Sequence, residues 1–148
     1  MPSTVSVIYL THLIGLSLAL GAATTKTALL LRCRSDPSFV PAFKVASKAV
    51  TRLFVTGLVL LVVSGLSWFF VGGLRVTAPF VVKLLLVAAI FVLGPVIDNV
   101  ITPKYNRLAP ETGAAASSEF LKVQMQYIAL EILATSLFYV ITVFWVFG

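Results

Sequence analysis

Three residues place ionisable chemistry inside stretches that are otherwise apolar: His12, Lys83 and Glu131. His12 is the only histidine, and at helical spacing it shares a face with Gly15, Ala19, Ala23 and Lys26. A neutral imidazole beside small residues suits axial ligation of haem or another metal-centred macrocycle, because the small row lets a flat ligand reach the backbone. The same row suits close helix packing equally well, with the imidazole hydrogen-bonded to a neighbouring helix. Bis-histidine ligation would require a dimer. Lys83 has two readings. Its long side chain can snorkel to the membrane interface, or face the bundle and bind an anionic group such as a propionate, a quinone oxygen or a lipid phosphate.

Glu131 lies roughly twelve residues into the last apolar run, about 18 Å along a helix and close to the midplane. An acidic residue there costs about 2.5–3.5 kcal/mol on insertion scales. Gln124, Tyr127, Thr135 and Thr142 fall on the same helical face and make a polar stripe. Desolvation favours a neutral, hydrogen-bonding carboxyl. Such a group carries a proton, orients a ligand, recognises a partner chain, or simply ties its helix to a neighbour. No phosphate loop, thiol pair or multi-histidine cluster accompanies these residues, and one histidine with so few acids assembles no hydrolytic triad. The sequence therefore assigns no enzymatic reaction. Cys33 stands alone, which excludes an internal disulfide, and its basic surroundings argue against an interchain one.

These residues need elements that hold them in a bilayer. An average chain of 148 residues carries roughly 37 ionisable side chains; this one has eleven Lys or Arg and five Asp or Glu, with 59% hydrophobic residues. That excludes a soluble domain. The net charge of +6 does not mark a nucleic-acid face, since the basic residues cluster at the ends of apolar runs. The runs predict an all-α, integral membrane, antiparallel four-helix bundle in one transmembrane domain, with helices over about 5–31, 43–71, 79–101 and 119–147. The first run lacks the basic n-region of a cleaved signal peptide.

Basic residues set an orientation. Lys26, Arg32, Arg34, Lys44, Lys48 and Arg52 flank the first connection, and Lys104, Arg107 and Lys122 the third, against Arg75 and Lys83 on the other side. Both termini are expected outside the cytoplasm, across a bacterial inner membrane. Asp36-Pro37 and Val40-Pro41 restrict the first loop, with a basic amphipathic lead-in from Phe43 to Arg52. Gly72-Gly73 ends the second helix, and Pro103, Pro110 and the small-residue stretch 113–118 form the last loop, with Ser117 a candidate N-cap. Gly94-Pro95 interrupts helix three, and Pro95 releases the carbonyl of Phe91. Asp98 is expected to pair with Arg52 or Lys104 as an anchor. Gly57, Ser64 and Gly65 give helix two a small packing face, and Trp68 and Trp145 suit an aromatic belt.

The residues His12-Leu13-Ile14-Gly15, Arg52 to Gly57, Ser64-Gly65, Lys83-Leu84 and Pro103 together resemble bacterial four-helix membrane families. These include copper-resistance D-type proteins, HemJ-type protoporphyrinogen oxidases and related integral membrane proteins. The resemblance implies haem b bound through His12, the sole metal ligand, with Lys83 in the same region. Three functions stand as expectations. The first is a tetrapyrrole-binding membrane subunit whose outer site uses His12, Gly15, Ala19 and Lys83. The second is an accessory subunit of a larger membrane complex, with Glu131 contacting another chain. The third is proton-coupled transport through Glu131 in a homo-oligomer.

Overall fold

In hydrocarbon the backbone must satisfy its own hydrogen bonds, and each apolar run does so as a helix. The structure, a computed structural model, describes residues 3–71, 77–110 and 115–147, with 144–147 by backbone alone. Helix α1 covers Thr4–Ser35, α2 Val40–Val71, α3 Ala78–Val96, α4 Thr102–Leu108 and α5 Ser118–Phe147. A π turn at Ile97–Ile101 joins α3 and α4 into one span, Ala78–Leu108. Among the described residues four spans are thus long and apolar enough to cross a membrane, and no strand occurs. The chain is an all-α membrane bundle with alternating helix directions.

The connections differ from the sequence reading in ways the proline positions explain. The first loop shrinks to Asp36 and a 3-10 turn at Pro37–Phe39. Asp36 Oδ1 accepts the Ser38 N–H at 3.1 Å and also the Ser38 hydroxyl. Pro41 falls in the first turn of α2, where its missing N–H removes no helical bond. Pro103 likewise opens α4 instead of ending the span. Ser117 caps α5 as expected, its hydroxyl accepting the Phe120 N–H at 3.1 Å. The Gly72-Gly73 stop, Arg75, Gly113 and the Trp145 side chain lie outside the described residues.

In cross-section α1 packs between α2 and α5, and α3 packs on α5. The α1–α2 contact is backbone to backbone. A Cβ built on Gly57 would stand 2.5 Å from the Ala19 nitrogen and 2.8 Å from the Gly15 carbonyl oxygen. Two apolar clusters fill the interior. The larger sits toward the two basic loops, hereafter the basic end, around Leu30, Cys33, Phe43, Tyr105, Phe120 and Tyr127. There the rings of Phe43, Tyr105 and Tyr127 meet edge-on. The smaller joins Ala19, Ile90 and Phe138, with Phe54 against it, toward the far end.

Candidate functional site

Between these clusters lies a charged layer. Lys26 stands one to two turns beyond Ala19, Ala22 and Ala23 on the buried stripe of α1, and those short side chains leave it room to turn inward. Glu131 occupies the buried stripe of α5 with Gln124, Tyr127 and Thr135. The Lys26 ammonium lies 2.7 Å from Oε1 of Glu131 and 3.1 Å from Oδ1 of Asp98, to which it donates a hydrogen bond. Side-chain exposure rises from 6% at Glu131 through 9% at Lys26 to 35% at Asp98. Glu131 is the inner member and Asp98 the rim.

The three helices reach this point for different local reasons. Asp98 is carried by the π turn, an element that often marks functional sites; it follows Pro95, which cannot donate to the preceding turn. Around Lys26, the Tyr127 ring centroid is 5.5 Å from Nζ, and the Tyr127 oxygen accepts from the Thr102 hydroxyl at 2.9 Å. Thr27 and Thr135 hydroxyls meet at 3.1 Å across the same α1–α5 seam.

Glu131 Oε1 is close to the ammonium but outside hydrogen-bond geometry, and it is buried without another partner. Beside it is a small cavity of about 30 Å³ at the junction of all four spans, lined by Ala23, Thr51, Phe54, Gly94, Asp98 and Glu131 among others. Roughly one or two waters fit such a space. One ammonium faces two carboxylates, so the fully ionised cluster carries one uncompensated negative charge. Burying that charge is expensive, and a single proton on either acid neutralises it.

The residues expected to ligate a macrocycle are arranged otherwise. His12 Nδ1 and the Ser64 hydroxyl are hydrogen-bonded at 2.9 Å, and the same hydroxyl reaches the Leu60 carbonyl at 2.6 Å. Gly15 and Ala19 are buried against α2, and α2 occupies the face a flat ring would need. These residues do not fit haem on that face. Lys83 is half-buried on the α3 stripe that continues through Val87, Ile90 and Gly94, and α1 and α3 make no extended contact that would bring it to His12. Among the described residues no group of three or more His, Cys, Asp or Glu is placed to hold a metal ion.

Two members of the charged layer escaped the sequence reading. Lys26 looked like a loop charge, although its register with Ala19 and Ala23 was visible. Asp98 pairs with Lys26 instead of Arg52 or Lys104; Lys104 lies 3.9 Å from Glu119. Comparison with family models, with curated proteins and with solved structures gives no match. The functional reading therefore stands on the geometry of this layer.

Proposed function

We propose that this protein carries protons within the bilayer, with Glu131 as the group that takes up and releases the proton. The observation that carries this reading is the single ammonium shared by two carboxylates beside a cavity where four apolar spans meet. Protonated, Glu131 is neutral and Lys26 serves Asp98 alone. On release, the proton leaves a Glu131 oxygen for a water-sized acceptor in the cavity, and the new carboxylate is matched by the ammonium 2.7 Å away. Asp98, at the rim, holds the Lys26 ammonium from its outer side. After release the Lys26 ammonium is shared by both carboxylates, and the cluster carries one net negative charge until a proton returns.

The basic loops support an orientation with those loops in the cytoplasm of a bacterium, and four helices enclosing so little space favour a homo-oligomer. An accessory role through Glu131 has less support, because the carboxylate is paired within its own chain. The test is proton flux into proteoliposomes carrying a trapped pH dye, driven by a potassium diffusion potential. Wild type is expected to exceed protein-free vesicles, and Glu131→Gln to fall to their rate. Equal flux in wild type and Glu131→Gln would overturn the proposal.

A further inference from the structure

The charged layer has unequal walls. Toward the basic end stands the thick aromatic cluster around Phe43, Tyr105 and Phe120. Toward the far end stands the smaller cluster of Ala19, Ile90 and Phe138, with Phe54, Leu58 and Leu137 among the side chains packed against it. Phe54 lines the cavity itself and meets the Phe138 ring edge-on, with centroids 5.5 Å apart. Helical rise places Phe138 about 10 Å beyond Glu131 along α5, and Ile90 about 12 Å beyond Asp98 along α3, both toward the far end.

Past this plug α3 packs more loosely. No residue of α3 before Ile90 is buried, yet Lys83 and Val87 continue the same inward stripe. Lys83 is the first ionisable group of that stripe beyond the plug. Apolar constrictions of this kind block water and protons until a side chain moves aside.

Resting on the proton-carrying reading, we infer that Phe54 and Phe138, closed by Ile90, are the gate between the charged cavity and the far half of the bundle. Phe54 is half-buried and is the mobile leaf. Phe138 is fully packed and is the stop. Rotation of Phe54 away from Phe138 would join the Glu131 cavity to the Lys83 side.

The same proteoliposome assay separates the two claims. Phe138→Ala is expected to raise proton flux clearly above wild type, because it opens an apolar constriction that gates by excluding water. Phe54→Ala should act in the same direction, and Phe138→Leu should stay near wild type. The added flux must disappear in Phe138→Ala combined with Glu131→Gln. If wild-type flux needs Glu131 but neither alanine variant raises it, the gate is overturned and the proton reading survives. A leak that persists without Glu131 also overturns the gate, since it reports a damaged bundle. Failure of Phe138→Ala to fold leaves Phe54→Ala as the deciding variant.

Discussion

Lys26 sets the electrostatic balance of the interior. Replacing it by methionine keeps the packing volume and leaves Glu131 and Asp98 facing each other without a counter-charge. Loss of one partner from a buried ion pair costs about 3–5 kcal/mol, so Lys26→Met should lower the unfolding temperature in detergent markedly. Adding Glu131→Gln should recover most of that loss. A Lys26→Met protein as stable as wild type would show that the layer is hydrated and loosely held. Asp36 allows a separate test outside the spans. The Ser38 hydroxyl, helped by the Ser38 N–H and the Arg32 guanidinium, holds its carboxyl below the usual carboxylate range. A lowered native value contributes stability that is present above the unfolded value and disappears as pH falls through the native one. Wild type should therefore melt slightly above Asp36→Asn at neutral pH and converge with it in acid. Glu131 was legible in the sequence because no loop could explain a carboxylate in the middle of an apolar run. Lys26 was not. The sequence reading ended its helix near residue 31, whereas the hydrogen-bonded helix runs on to Ser35 and draws Lys26 a turn deeper.

At the scale of elements, the seam between α1 and α2 has almost no slack. Gly57→Val would drive a branched side chain into the Ala19 backbone, which a helix cannot yield without separating from its partner. Overpacking of this kind costs about 1–3 kcal/mol. It should also break the His12–Ser64 hydrogen bond 2.9 Å long that lies farther along the seam. Gly21→Ala is the control, since its Cβ would meet nothing within 4 Å. Thermal unfolding in mild detergent should separate the two variants clearly, and equal midpoints would mean that the seam is not a close contact. Helix number and approximate length were legible because a bilayer demands an unbroken apolar run for each crossing. The small face of α1 was legible too, but its occupant was not: glycine and alanine spacing describes a smooth surface, and a helix or a flat ligand satisfies it equally. The π turn had only Pro95 to announce it. Its effect, aiming Asp98 at Lys26 and restarting the helix at Pro103, depends on tertiary contacts that no local pattern encodes.

For the whole molecule, the charge arithmetic changes once Lys26 is seen to be interior. A buried, paired lysine no longer counts as a topological signal. Eight basic residues still flank the connections at the basic end, namely Arg32, Arg34, Lys44, Lys48, Arg52, Lys104, Arg107 and Lys122, against Arg75 and Lys83 opposite. That asymmetry supports the proposed orientation, in which the positive-inside bias puts the basic end in the cytoplasm. It also gives the gate a direction. Lys26 is nine residues from the end of α1 at Ser35, about 14 Å along the axis, so the charged layer sits nearer the basic end and, in the proposed orientation, Phe54 and Phe138 would separate it from the exterior. Single cysteines in a Cys33→Ser background test this in intact cells with a membrane-impermeant maleimide. Ser3→Cys and Thr77→Cys, both exposed at the far end, should label from outside. Ser38→Cys and Ala115→Cys, exposed at the basic end, should label only after permeabilisation. The opposite pattern would invert the protein, so that the thick aromatic cluster faced outward and the phenylalanine gate opened toward the cytoplasm.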